Sequence, residues 1–270
     1  MSKLYIVGVG PGKLEYLTLR AYEVLRKVSV VVGYGRYIEQ IAPIIRGKTI
    51  FTTGMRDEVK RCLIAIRYAA QGYDTALVCG GDPGVYGLAG LCLQICAELS
   101  IDIEVEIVPG ITAALAGACL VGAPLMRDFV VLNLSDILIP WEEIEHKLRK
   151  ALEGNFTIVI YNPCSKKKYN IEKVFNIVRQ YYHNTYVAIV KNALREGQEI
   201  YISKIENVDI SKIDMNTIVI ICSPHVYFRK GWLIAERGYE PKLRKLLNDR
   251  ETLEKFINVS PAPHRHSSAY

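Results

Sequence analysis

The sequence predicts an α/β protein of two domains, each with a mostly parallel sheet, and a ligand cleft between the domains. Three observations predict this class. Short β-rich segments alternate with amphipathic helical segments along most of the 270 residues, which is typical of sheets covered by helices. The valine-rich segment 28–32 has the composition of a strand covered on both faces. The segment 121–127, VGAPLMR, interrupts the alternation, which then restarts, so we expect a hinge near residue 125.

The first domain is assigned to residues 1–124 and opens with the β-rich run KLYIVGV. In the helix predicted over 57–71, the helical spacing of four apolar side chains predicts an inward face made of Val59, Leu63, Ile66 and Ala70. The predicted strands of this domain are 3–9, 28–32, 74–78 and 104–108, and its predicted helices are 17–26, 57–71, a segment ending at 99, and 112–120.

The second domain is assigned to residues 125–245 and repeats the alternation. A C-terminal extension, 246–270, follows, and its last residues, SPAPHRHSSAY, have the polar, proline-rich composition of a disordered segment. The predicted strands of the second domain are 129–134, 157–161, 186–190, 199–203 and 217–222, and its predicted helices are 141–152 and 171–181.

Charge and cysteine content exclude several classes of protein. The net charge is +6, but the one dense basic run, residues 166–168, is interpreted as a solvated loop, and no basic run is interleaved with aromatic residues as nucleic-acid binding would require. Seven cysteines without a CxxC pair indicate reduced cytoplasmic thiols. No apolar run is long enough to span a membrane, and no signal peptide is expected. The histidines lack zinc-ligand spacing, so no metal site is expected.

The segment VCGGDPGVYGLAG, residues 78–90, is the most informative stretch for function. Glycines at a strand-to-helix junction let backbone N–H groups approach a ligand closely, and Asp82 adds an acceptor suited to ribose hydroxyls or an amine. No Gly-Lys-Ser/Thr follows, so this is not a triphosphate-binding loop. The earlier run GVGPG lacks the glycine spacing of a dinucleotide fingerprint, and Pro11 interrupts it.

Further glycine- and asparagine-rich loops follow other predicted strands. Because loops at the carboxyl ends of parallel strands build ligand sites, an interdomain cleft would collect them. No nucleophile elbow occurs, which favours a reaction without a covalent enzyme intermediate. These loops are 8–12, 80–86, 109–112, 133–136, 161–165 and 192–196.

The motifs GVGPG, GGDPGVYG, VPGITA and YNP, in this order, resemble those of the tetrapyrrole (corrin/porphyrin) methylases. The resemblance extends over residues 3–239. The segments GYG, GMRDEV, GAPLMRDF, LSD, PW and NALREG are similar to the branch that methylates C17 of precorrin-3B or its cobalt counterpart.

The resemblance implies a small-molecule tetrapyrrole substrate, S-adenosylmethionine as the cofactor in an interdomain cleft, ring contraction during methylation, and a homodimer. It implies cofactor contacts from Pro11, Gly80, Gly81, Asp82, Val85, Tyr86, Thr112, Ala113, Tyr161, Asn162, Ala193 and Thr217. Candidate partners of the substrate carboxylates are Arg36, Arg56 and Arg195. Candidate proton relays are Tyr34, Ser135, Asp136 and Glu196.

Two positions depart from the pattern of the family. Gly80 stands where this branch often has serine, and Tyr34 stands near the position of an aspartate in the uroporphyrinogen methylases. The alternatives are another methylase of the family, acting on a different corrin carbon or as a diphthine synthase, an RNA-modifying or RNA-binding protein, and a non-catalytic ligand sensor.

Overall fold

A computed structural model of the chain describes residues 3–164 and 169–257. Its first half alternates strands and helices as predicted. The elements are β1 (Lys3–Gly8), α1 (Leu19–Lys27), β2 (Val30–Tyr34), α2 (Gly35–Ile41), β3 (Thr49–Thr53), α3 (Glu58–Ala70), β4 (Thr75–Cys79), α4 (Ala89–Glu98) and β5 (Glu104–Val108).

These strands form one fully parallel sheet in the order β3-β2-β4-β1-β5. Side chains alternate between two apolar clusters, so that Tyr5 and Val7 pack in one and Leu4 and Ile6 in the other. Burial on both faces explains why the central strands consist of apolar residues.

The helix α3 packs through a face that differs from the predicted one. Val59 and Leu63 are 54% and 41% exposed, and Ala70 is also exposed, so only Ile66 of the predicted inward face is buried. The observed face consists mainly of small residues, which let the helix approach the sheet closely. It comprises Arg61, Cys62, Ala65, Ile66 and Ala69.

The second half begins with a helix that leaves the first sheet. Its elements are α5 (Ala113–Val121), β6 (Gly122–Ala123), β7 (Phe129–Asn133), α6 (Trp141–Glu153), β8 (Thr157–Tyr161), α7 (Tyr169–Tyr181), β9 (Tyr186–Lys191), β10 (Glu199–Lys204), β11 (Thr217–Ile221), β12 (Val226–Arg229), β13 (Trp232–Ala235), α8 (Glu240–Asn248) and α9 (Arg250–Ile257).

The second sheet has the order β10-β9-β11-β8-β7. The predicted α/β class is confirmed, but the prediction that this second sheet is mostly parallel is wrong. Only the β7–β8 pair is parallel, because β10 returns beside β9 as a hairpin and β11 runs between β8 and β9 antiparallel to both. Thr217, at the start of β11, therefore lies opposite Lys191, at the end of β9.

The hinge region contains structure that the sequence did not predict. β6 pairs with β13 in a three-stranded sheet completed by β12. α5 packs against the second sheet, where a Cβ at Gly117 would come 2.5 Å from Cγ2 of Ile218. The division of the chain at 124/125 stays a prediction.

Parts of the C-terminal and basic segments fall outside the described residues. Residues 246–257 contain the end of α8 and all of α9. Residues 258–270, with His264 and His266, lie outside the described residues, as does the lysine run 166–168.

Within 3–164 and 169–257, no helix combines the length and apolar character needed to cross a membrane. In the same ranges, no three His, Cys, Asp or Glu side chains come together in a way that could hold a metal ion.

Candidate functional site

One cavity of about 580 Å³ lies between the two five-stranded sheets. The ends of β2, β4, β8 and β9, the start of β11 and the N-terminus of α5 all reach it. The antiparallel course of β11 brings Thr217 to the same edge as Tyr161 and Lys191. The lining residues are Pro11, Tyr34, Arg36, Tyr37, Met55, Gly80, Gly81, Val85, Tyr86, Thr112, Ala113, Tyr161, Asn162, Val190, Asn192, Ala193, Arg195, Met215, Asn216, Thr217 and Ile218.

Three glycine loops interlock at the first-sheet side of this cavity. Gly10 and Gly81 exchange backbone hydrogen bonds, with N–O distances of 3.1 and 3.0 Å, and both have a φ of +65°. A Cβ at Gly8 would come 2.6 Å from the carbonyl oxygen of Gly81, and one at Gly110 would come 2.1 Å from it. The loops can approach this closely only because they carry no side chains here, so this side of the cavity is backbone.

Asp82 joins two of these loops. Its Oδ1 accepts a hydrogen bond from the Gly84 amide at 2.8 Å, and its Oδ2 accepts one from the Gly110 amide at 3.1 Å. It is the one predicted cofactor residue that does not line the cavity. The structure therefore places the carboxylate as a support for the glycine loops, whereas the sequence suggested a ligand acceptor.

Tyr161, at the end of β8, connects the second sheet to the start of α5. Its hydroxyl accepts a hydrogen bond from the Ala114 amide at 2.7 Å and also bonds to the hydroxyl of Thr112. Burial raises the pKa of the Tyr161 phenol, although these two hydrogen bonds act in the opposite direction. The ring centroids of Tyr86 and Tyr161 lie 5.2 Å apart. The hydroxyl of Tyr86 donates a hydrogen bond to the Val131 carbonyl at 3.1 Å.

Three lining residues, Tyr86, Asn162 and Asn192, and Leu194 beside the lining residue Ala193 have left-handed backbone conformations. Tyr86, Asn162, Asn192 and Leu194 have φ values of +53°, +49°, +48° and +58°. The two asparagines tolerate this region, but it is uncommon for tyrosine and leucine. Such strain is typical of functional sites whose geometry is fixed by the surrounding structure.

Two of the three predicted substrate arginines line the cavity. Arg195 donates from Nε to the Pro11 carbonyl and packs its stem where a Cβ at Gly12 would be, 2.8 Å from Cγ. Burial lowers the pKa of Arg195. Arg36 donates to Oδ1 of Asn216 at 3.4 Å.

Arg56 lies elsewhere, although the sequence placed it with the other two arginines. It lines a separate groove of about 480 Å³ beside the exposed Val59 and Leu63 of α3. Arg56 has a left-handed backbone, with a φ of +72°, and it is the preceding residue, Met55, that lines the cavity. No role in binding at the cavity follows for Arg56.

Of the four candidate proton relays, only Tyr34 lines the cavity. The loop after β7 is tied back on itself, since the Ser135 amide donates to Oδ1 of Asn133 at 2.9 Å and Asp136 accepts from Nδ2 of Asn170 at 3.2 Å. Glu196 is exposed. The structure therefore does not bring Ser135, Asp136 or Glu196 to the cavity.

Several lining residues were missed from the sequence. Asn192 stands in a loop that was correctly identified, and Val190 in the strand before it. Met215, Asn216 and Ile218 reach the cavity only because β11 is antiparallel, which no local pattern indicated. Tyr37 follows β2 and could have been included from the rule for strand ends. Met55 follows β3, a strand that was not predicted. The missed residues are Tyr37, Met55, Val190, Asn192, Met215, Asn216 and Ile218.

Comparison with known proteins identifies a family whose members this chain resembles. The model of a family described as Tetrapyrrole (Corrin/Porphyrin) Methylases matches residues 3–209. The chain is 41% identical over 242 residues to the cobalamin biosynthesis protein CbiHC of Archaeoglobus fulgidus, covering 89% of this chain and 54% of that protein. This chain thus spans about half the length of that relative.

Two further matches cover their counterparts almost completely. A Salmonella typhimurium protein named probable cobalt-factor III C(17)-methyltransferase is 37% identical over 238 residues, covering 87% of this chain and 99% of that protein. The crystal structure of the methyltransferase CobJ superposes with a TM-score of 0.83 at 31% identity, covering 87% of this chain and 100% of that one.

Proposed function

Since this chain belongs to the tetrapyrrole (corrin/porphyrin) methylase family, we propose that it transfers a methyl group from S-adenosylmethionine to C17 of a precorrin-3B-type macrocycle, metal-free or cobalt-containing, with contraction of the ring. One observation supports this most. All but one of the residues that the family motifs nominate for cofactor binding line a single cavity. Relatives that cover most of the chain carry the name of this activity.

The residues of the cavity fit S-adenosylmethionine. Its volume of about 580 Å³ falls within the range of roughly 300–1,000 Å³ common for small-molecule sites. The bare backbone of Gly80 and Gly81 allows close approach, and Val85, Ala113 and Ala193 provide apolar walls. The bound cofactor would supply an electrophilic methyl group on a sulfonium.

The cavity also carries side chains that suit an acidic macrocycle. Arg36 and Arg195 line the cavity, and guanidinium groups match the planar geometry of carboxylates. Met55 and Met215 add flexible apolar surface suited to a large ring.

The work of the protein in this reaction is alignment. Holding donor and acceptor carbon in line, in a site closed to water, can lower the barrier by several kcal/mol, roughly 7–11 in favourable cases, and needs no enzyme nucleophile. Ring contraction requires a proton to move, and Tyr34 is the candidate relay that reaches the cavity. Ser135, Asp136 and Glu196 receive no such role. A cytoplasmic location and a homodimer stay predictions.

The test is anaerobic incubation of the chain with cobalt-factor III and S-adenosylmethionine labelled in its methyl group. We expect one labelled methyl per macrocycle, located at C17, and a change in the visible spectrum. Uroporphyrinogen III serves as the control substrate and should gain no label. Label at a different corrin carbon, or in RNA or protein added to the same reaction, would contradict the proposal.

A further inference from the structure

Two cations face the cavity without a carboxylate partner in the described part of the chain. Arg36 reaches one amide oxygen and Arg195 reaches one backbone carbonyl. A nearby carboxylate is already engaged, since Asp214 pairs with Lys191 at 2.9 Å. Burial lowers the pKa of Arg195; the neighbouring Tyr37 acts in the opposite direction, and the proximity of Arg36 lowers the pKa further. Arg36 is exposed and Arg195 is partly buried. A partly buried cation without a carboxylate partner is stabilised by an anion from outside the chain.

A third polar group stands beside these cations. Among residues 3–164 and 169–257, the hydroxyl of Tyr37 has no hydrogen-bond partner, although its residue lines the cavity. The ring is held in place by Tyr34, whose ring packs edge-on at a centroid distance of 5.4 Å, and by the absence of a side chain at Gly80. Arg195 lies close enough for its charge to act on the phenol.

We infer that Arg36, Tyr37 and Arg195 form one anion subsite, which binds a peripheral carboxylate of the macrocycle. The inference rests on the proposed function, because it assigns the subsite to the tetrapyrrole. The guanidinium groups supply charge and paired donors, and the phenol supplies a neutral donor. Burial raises the pKa of Tyr37, which keeps the phenol protonated at neutral pH, so that it donates to a carboxylate.

The position of the subsite gives it a role in orientation. Tyr37 rests directly on Gly80, and Gly80 also lines the proposed cofactor site. A carboxylate held by Tyr37 thus fixes one edge of the macrocycle relative to the methyl donor. Tyr37 is in this sense a specificity-determining residue, since a ring with its carboxylate displaced would lose this contact.

The test compares Tyr37→Phe with the wild type, because the substitution keeps the ring that packs on Gly80. Binding of uroporphyrin, a soluble polycarboxylate probe, is followed by fluorescence, and binding of S-adenosylhomocysteine by calorimetry. We expect Tyr37→Phe to bind uroporphyrin about ten-fold more weakly, as loss of a hydrogen bond to a charged group predicts, and to bind S-adenosylhomocysteine unchanged. The KM for cobalt-factor III should rise by a similar factor, with a smaller change in kcat.

A second variant, Arg36→Gln, tests the guanidinium group in the same binding assays. Tyr227→Phe, at an exposed position on β12, is the matched control. If Tyr37 and Arg36 share one carboxylate, the double variant should lose less affinity than the product of the two single losses. Unchanged uroporphyrin affinity in Tyr37→Phe, with active wild type, would overturn the subsite and leave the proposed function standing. Weakened binding in the variants, together with no methyl transfer by the wild type, would instead support the subsite and contradict the function.

Discussion

The ring of Tyr37 occupies the space that a side chain at Gly80 would need. A Cβ built on Gly80 would come 2.5 Å from both Cε1 and Cζ of Tyr37 and 2.9 Å from its hydroxyl oxygen. Glycine at position 80 is therefore matched to the tyrosine at position 37.

This relationship predicts that Gly80→Ala destabilises the protein by about 1–3 kcal/mol, the usual cost of overpacking. In a Tyr37→Ala background, Gly80→Ala should cost less than about 0.5 kcal/mol, because the ring no longer occupies the space that the new Cβ needs. Urea unfolding of the four proteins in this cycle measures the coupling.

Gly90→Ala is the matched control for that cycle. Gly90 lies in α4 and no atom lies within 4 Å of the Cβ it would gain, so alanine should stabilise the helix by about 0.5–1 kcal/mol. Equal costs of Gly80→Ala with and without Tyr37 would contradict the steric account.

Tyr161→Phe should impair both stability and cofactor binding. The change leaves the Ala114 amide without its acceptor and releases Thr112, at a cost of about 1–3 kcal/mol. Because these residues begin α5 beside the cavity, affinity for S-adenosylhomocysteine should fall about five-fold, or roughly 1 kcal/mol.

Tyr182→Phe separates the two effects of that variant. The Tyr182 hydroxyl donates to the Phe156 carbonyl at 2.9 Å, within the core of the second sheet. We expect Tyr182→Phe to lose about as much stability as Tyr161→Phe but to bind S-adenosylhomocysteine with unchanged affinity. If Tyr161→Phe behaved in the same way, Tyr161 would have only a structural role.

Asp82→Asn tests whether this carboxylate supports the loops or contacts the ligand. An amide cannot accept from both Gly84 and Gly110, because one of its two terminal atoms is a donor. We expect a loss of about 1–3 kcal/mol in the free energy of unfolding, accompanied by weaker cofactor binding. Asp102→Asn, at an exposed position, should change neither. Weaker binding with full stability would show instead that Asp82 contacts the cofactor directly.

The edge strand β5 gives a prediction on pH. Hydrogen bonds from Arg20, at 2.8 and 3.0 Å, lower the pKa of Glu106 below its ordinary value. A lowered folded-state pKa contributes stability above the unfolded value of about 4.3, and this contribution is lost as the pH falls through the folded value. Glu106→Gln should therefore be slightly less stable than the wild type at pH 6, with a smaller difference at pH 3. An equal difference at both pH values would contradict the assignment.

The sequence predicted four of the five strands of the first sheet, all but β3, and most of the residues that line the cavity. The alternation of strands and helices determines a parallel sheet, and a parallel sheet places every strand-end loop at one edge, which is why the glycine loops were identified correctly. The pattern of a single strand does not report its direction, however. The course of β11, and with it the neighbourhood of Thr217, depends on long-range pairing with β8 and β9.

Individual side chains were harder to predict. The inward face of α3 was predicted from large apolar residues, yet the helix packs through Cys62, Ala65 and Ala69, since close approach to the sheet favours small ones. The carboxylate of Asp82 is typical of a ligand contact, and only the backbone amides around it show that it joins two loops.

The proposed function requires a single cavity that holds both the methyl donor and the macrocycle. A crystal structure of the chain with S-adenosylhomocysteine and a bound porphyrin tests this directly. We predict the cofactor between Gly81, Thr112 and Ala193, and a porphyrin carboxylate against Tyr37 and Arg195. A cofactor bound outside this cavity, for example in the groove beside Arg56, would contradict the proposed function.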